Sequence, residues 1–224
     1  MRTLVFAFLI LSAYPLAAQF GVSGGYRFNR PDQWLLHNDA DQSETELLGD
    51  GFSISADYWF RLKNVRVEFL PELNYSSFKT SLFNGLETRA DFFSLFFNVN
   101  FYPMDFYGDC DCPTFSKSGD TFQKGFFLQV SPGFSYAPTK LELPEETIEE
   151  QMSGFSIGAG LGFDIGLSDL LTISPTAGLR YFPGLEWPQL SRANLGVEEH
   201  YVEGEKSALW QIYTGIRLGW RLDH

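Results

Sequence analysis

From position 19 onward, bulky apolar residues alternate with small or polar ones at every second position, in runs of about ten. A period of two is that of a β-strand whose two faces meet different surroundings. About ten residues is the length that crosses a bilayer as a tilted strand. The first run sets Phe20, Val22, Gly24, Tyr26 and Phe28 against Gly21, Ser23, Gly25 and Arg27. The second sets Phe52, Ile54, Ala56, Tyr58 and Phe60 against Ser53, Ser55, Asp57, Trp59 and Arg61. The third sets Val65, Val67, Phe69, Pro71, Leu73 and Tyr75 against Arg66, Glu68, Leu70, Glu72 and Asn74. Pro71 lacks a ladder donor, which predicts a bulge or kink there.

Five further runs follow, over 93–102, 126–136, 155–165, 171–181 and 210–222. Asp164 falls on the polar face of the sixth, Arg180 on that of the seventh, and Arg217 and Arg221 on that of the eighth. An even number of strands suits a single-chain bacterial barrel. The predicted fold is all-β: an eight-stranded antiparallel up-and-down transmembrane β-barrel. With both ends periplasmic, the outer loops are 29–51, 77–91, 138–153 and 182–207, and the inner turns are 62–64, 103–124 and 166–169. Long outer loops and short inner turns fit this class; 103–124 is the long exception.

The first residues agree with export. Met1-Arg2-Thr3 is a short basic start, Leu4 to Leu11 is almost wholly apolar, and Ala17-Ala18 is a small-residue cleavage site. Residues 1–18 therefore read as a signal peptide and 19–224 as the barrel domain. The apolar stretch is shorter than the roughly 20 residues of a membrane-crossing helix. About 206 residues then remain, the size of a single all-β domain.

Composition changes the picture in two ways. Aromatic residues make up 17% of the chain, with 23 Phe, and many fall at strand ends, where a barrel carries its interfacial girdles. A soluble sandwich would have to fit all of these bulky faces into one core. The net charge of −12 excludes nucleic acid as a partner, because phosphate binding needs a basic patch.

The inward face gathers Arg27, Asp57, Arg61, Arg66, Glu68, Glu72, Asp164, Arg180, Arg217 and Arg221. An eight-stranded barrel encloses only enough space for its own side chains, and buried charges must pair. The expectation is a lumen salt-bridge network that plugs the barrel rather than a wide pore. Cys110 and Cys112 lie in the long inner connection, facing an oxidising periplasm, and read as a local disulfide candidate. A redox or metal role is the alternative, although zinc sites space Cys by two to four, and no His lies near.

The outer loops are acidic: Glu142, Glu145, Glu146, Glu149 and Glu150 in one, and Asp32, Asp39, Asp41, Glu44, Glu46 and Asp50 in another. They read as a solvated surface, without calcium-loop spacing. Trp34, Leu35, Leu36, Trp187 and Leu190 among them are candidates for a partner-binding surface. His37, Ser43 and His200 are the candidates for rim catalysis, but no nucleophile-elbow pattern supports them. No enzyme activity, metal or cofactor is expected.

The Ala17-Ala18-Gln19-Phe20 cleavage region, the opening Phe20-Gly21-Val22-Ser23-Gly24-Gly25 and the Leu70-Pro71-Glu72-Leu73-Asn74-Tyr75 segment resemble the PorT-like outer-membrane β-barrel proteins of Bacteroidetes. The resemblance covers the whole mature chain as a pattern of barrel strands. It implies an outer-membrane barrel in contact with lipid and with envelope or secretion-complex proteins, since the name-giving member is linked to type IX secretion. Tyr213 to Trp220 resembles the last-strand signal read by the barrel assembly machinery, with four residues beyond Trp220, ending in His224. The expected role is a non-enzymatic scaffold engaging partners through 103–124 or the outer loops. A small-solute or hydrophobic-compound channel and a lipid-acting rim enzyme are the other classes.

Overall fold

A strand apolar on one face and polar on the other must put each face in its own medium, and eight such strands do so by closing on themselves. The computed structural model describes residues 19–38, 43–62, 65–82, 86–104, 125–142, 147–168, 170–188, 190, 200–202 and 204–221. The barrel strands are β1 (Gln19–Pro31), β2 (Gly51–Tyr58, continued by Phe60–Arg61), β3 (Val67–Ser81) and β4 (Glu87–Phe101). They continue with β5 (Phe126–Glu142), β6 (Thr147–Phe163, continued by Ile165–Gly166), β7 (Leu171–Glu186) and β8 (Lys206–Arg221). Each pairs antiparallel with its chain neighbours. β1 then closes on β8 from Gln19↔Arg221 to Pro31↔Leu209. Closure satisfies the backbone without exposed edges, as a lipid environment demands.

β3 to β8 are fifteen to seventeen residues long, where about ten suffice to cross a bilayer. The surplus lies at the outer end, where the two faces exchange chemistry. In β4 the outward side chains run Phe101, Phe97, Leu95 and Phe93 and then change to Asp91 and Arg89, while Phe92 and Ala90 turn inward. β5 changes the same way: Leu128, Val130, Phe134 and Tyr136 face out, then Lys140 and Glu142, with Ala137 and Leu141 inside. Apolar-out becomes apolar-in at the level where lipid gives way to water.

Much of the outer-loop territory expected from the sequence is therefore strand. Loop 77–91 shrinks to the connection between Ser81 and Glu87, and 138–153 to that between Glu142 and Thr147. Parts of the other two loops build a small second sheet over the mouth, in the order His200–Val202, Leu35–Asn38, Ser43–Glu46.

The bulge expected at Pro71 is absent. β3 runs through it in unbroken register with β4, Pro71 opposite Phe97. On the other side the β2 ladder is interrupted between Tyr58 and Phe60, so the missing N–H falls where pairing already lapses. The register irregularity lies in β7 instead, between Phe182 and Leu185. Residues 1–18 of the expected signal peptide, and Cys110 and Cys112, lie outside the described residues.

Candidate functional site

The lumen has two polar levels. In the inner one, the Arg217 guanidinium grips Asp57 through Nε to Oδ2 at 2.7 Å and Nη2 to Oδ1 at 2.6 Å. The Tyr102 hydroxyl sits between Glu68 Oε2 at 2.9 Å and Asp164 Oδ2 at 2.5 Å, and Ser174 donates to the other Asp164 oxygen at 2.5 Å. Arg66 lies 3.9 Å above the Tyr102 ring. A buried ring thus gathers the inner charges that the sequence placed on four separate strands.

The outer polar level is built mainly with neutral partners. Asn98 Nδ2 donates to Glu72 at 2.5 Å, Ser131 donates to Asn98 Oδ1 at 2.5 Å, and Arg180 Nη2 donates to Ser131 Oγ at 3.1 Å. Arg27 donates to Gln211 Oε1 at 2.7 Å, and Gln211 in turn donates to Asn29 Oδ1 at 2.8 Å. Both guanidiniums lie against Phe96, Arg180 at 3.4 Å from the ring centroid and Arg27 at 5.7 Å. Phe96 has room inside the barrel because Gly133 lies beneath it; a Cβ there would collide with the ring.

Of the charged residues read from the sequence, Asp57 and Arg217 pair directly, while Glu68, Asp164 and Arg66 meet around Tyr102. Glu72, Arg27 and Arg180 engage amides and a hydroxyl. Arg61 is not in the lumen: it is exposed at the inner rim, because β2 ends there and alternation no longer points inward. Arg221 ends β8 opposite Gln19, and its side chain is outside the described residues. Tyr102, Tyr213, Asn98, Gln129 and Ser131 escaped notice as site residues because a charge-based reading passes over neutral polar groups. Their inward phase was the available signal.

Above the polar levels the lumen is packed apolar. Phe78, Leu86, Phe92, Leu141, Met152, Phe182, Leu185 and Leu209 form one buried cluster with Trp34, Leu36, Leu47, Trp187 and Leu190 of the covering segments. Trp34 and Trp187 meet edge to face, with centroids 5.8 Å apart. Backbone bonds tie this cover down: Leu47 N to Trp34 O at 2.9 Å and Trp187 N to Glu205 O at 2.7 Å. Thr88 Oγ1 adds a bond to Leu47 O at 2.5 Å. Trp34, Leu36, Trp187 and Leu190, read from sequence as a partner surface, are thus the cover's own core, each at most 2% exposed.

Of the catalytic candidates, His37 lies in register with Glu44 and Tyr201, whereas Ser43 and His200 flank Asn38 one position on. His37 Nδ1 is 3.5 Å from Glu44. The three candidates do not share one row of the sheet.

The exterior between the two polar ends is apolar, with Phe20, Val22, Ile54, Leu73, Leu95, Val130, Ile157, Leu179, Ile212 and Ile216 all exposed. Two aromatic belts bound it. Phe20–Tyr58, Phe60–Phe69 and Phe126–Phe163 contacts mark the inner belt. Tyr75–Phe93, Phe134–Phe155 and Tyr181–Trp210 contacts mark the outer one. In water so large an apolar surface would aggregate, whereas in a bilayer it is required. The protein is a β-barrel of the bacterial outer membrane.

Neither a protein-family model nor a curated protein matches the chain. Among solved structures it is similar to Ail, the attachment invasion locus protein of Yersinia pestis: 12% identity, TM-score 0.42, covering 90% of this chain and 99% of that one. Neisserial surface protein A (NspA) gives 12% identity and a TM-score of 0.41 over 88% of this chain and 95% of the other. The N-terminal β-barrel domain of Pseudomonas aeruginosa OprF gives 14% identity and a TM-score of 0.43 over 91% and 99%. Likenesses this distant carry no function across, and the barrel assignment stands on the closure of the protein's own strands.

Proposed function

We propose that the protein is a non-enzymatic outer-membrane scaffold that engages other envelope components through its surfaces rather than through its lumen. The observation that carries this reading is the filled interior. The polar lumen has a cavity volume of about 70 Å³, room for a few water-sized species, and the apolar core under Trp34 and Trp187 closes the level above. Such an interior favours neither a solute path nor a hydrophobic-compound channel.

What the long strands build instead is a firm platform outside the bilayer. Its outer face is laced by cross-strand ion pairs: Lys79–Glu87 at 2.7 Å, Lys206–Glu186 at 3.2 Å, and Lys140–Glu149. Exposed pairs of this kind add little stability, so their value lies in an ordered, hydrated surface. A partner binding to ordered strands loses less conformational entropy than one that must order a loop. The resemblance to PorT-like barrels supplies protein secretion as the process in which such a scaffold would take part, with 103–124 as its periplasmic contact.

A photo-crosslinking residue at Glu149 or Glu186, used in cells of the native host, tests this. A discrete adduct with one envelope protein is expected from the platform positions but not from a lipid-facing control at Leu73. Adducts with lipid alone at every position would contradict the proposal.

A further inference from the structure

Arg27 and Arg180 stand apart from the other lumen charges. Both are buried, 5% and 3% exposed, and both line the lumen cavity. Among the described residues, neither meets a carboxylate at ion-pair distance. Arg27 bonds the neutral Gln211 and Arg180 the neutral Ser131, and Arg27 Nε and Arg180 Nε and Nη1 have no hydrogen-bond partner. The acid lining the same level, Glu72, accepts from Asn98. At this level two buried guanidiniums face one carboxylate, because the other acids lining the cavity, Asp57, Glu68 and Asp164, are engaged by Arg217, Tyr102 and Ser174. A buried charge lacking a counter-charge is costly. The π-face of Phe96, against which both guanidiniums lie, offsets part of that cost but supplies no acceptor for the remaining N–H groups.

We propose that this level of the lumen binds one small monovalent inorganic anion, of halide size, between the Arg27 and Arg180 guanidiniums. The local count at this level, two guanidiniums to the one carboxylate of Glu72, sets the valence. The cavity volume of about 70 Å³, spread along both polar levels, favours an ion close to water in size. The anion would take up the free guanidinium N–H groups and hold the two like charges beside Phe96.

The test is thermal unfolding of the full chain, refolded in non-ionic detergent, at constant ionic strength while chloride replaces gluconate. The expected result is a midpoint that rises with chloride and saturates, with sulfate no better than gluconate. Glu72→Gln removes the competing carboxylate and should lower the half-saturating chloride concentration several-fold. Arg180→Met should abolish the dependence, and if that variant fails to fold, the Glu72→Gln shift decides. Equal midpoints in chloride and gluconate would overturn the proposal. So would a rise that sulfate reproduces, or one whose half-saturating chloride concentration Glu72→Gln leaves unchanged.

Discussion

Arg217 and Asp57 meet inside the barrel through two parallel hydrogen bonds, 2.7 and 2.6 Å long, joining β8 to β2 across the intervening β1. The strand between them makes room by carrying Gly21, where a Cβ would strike both partners. Fork-to-fork pairing of this kind fixes geometry as well as charge.

Removing one partner leaves the other buried and uncompensated. Asp57→Ala is expected to destabilise the folded barrel by about 3–5 kcal/mol, whereas the double change Asp57→Leu with Arg217→Met should cost much less. Gly21→Ala should also destabilise, by displacing the pair. Urea unfolding in lipid vesicles, followed by Trp fluorescence, measures all three; equal losses for the single and double changes would contradict the pairing.

The Trp34–Trp187 contact holds the cover on the outer mouth. Trp187→Ala should cost the cover about 3–5 kcal/mol and open the outer segments to protease, while the barrel keeps its heat-modifiable migration on gels. Loss of both together would mean that cover and barrel fold as one unit.

How much of this the sequence shows depends on where its two faces keep their chemistry. Between the belts the alternation is plain: Phe93, Leu95 and Phe97 against Ser94 and Asn98 place β4, although Phe96 breaks the polar row between them. Beyond Asp91 the strand continues with its faces exchanged, and a reading tuned to apolar-out stops there. Residues 147–153 read as part of an acidic loop because Glu150 interrupts the inward row between Ile148 and Met152, so no clean apolar alternation marks this stretch of β6. The cover was harder to see, because Trp34 and Trp187 lie far apart in sequence and meet only after the barrel closes. The charged lumen residues were visible by parity, but which of them pair depends on strand stagger, which the alternation does not encode.

The lipid-facing band gives a depth-dependent test. Leu73→Arg, at a fully lipid-facing position 68% exposed, is expected to cost about 2–4 kcal/mol of folding into bilayers. Lys140→Ala, on the outer extension, should change stability by no more than about 0.5 kcal/mol. Comparable costs at both sites would place the bilayer elsewhere on the barrel.

One acid outside the bilayer titrates with the cover. Burial pushes the Glu46 carboxyl above the ordinary carboxylate range; Arg30 beside it at 3.3 Å pulls the other way, and Asp50 adds to the rise. A carboxyl raised on folding favours the folded state when protonated, so its contribution is present below its unfolded value and lost as pH rises through the folded one. Protease protection of the cover should therefore fall as pH rises from about 4. Glu46→Gln should flatten that part of the profile, and an unchanged profile would contradict the assignment.

The most direct test of the account is electrical. Purified protein refolded and reconstituted into a planar bilayer should give no stable openings, because the polar lumen holds only about 70 Å³ and the packed core under Trp34 and Trp187 closes the level above it. Long-lived conductance steps that scale with salt concentration would mean a continuous water path through the barrel, and would contradict the filled interior on which the account rests.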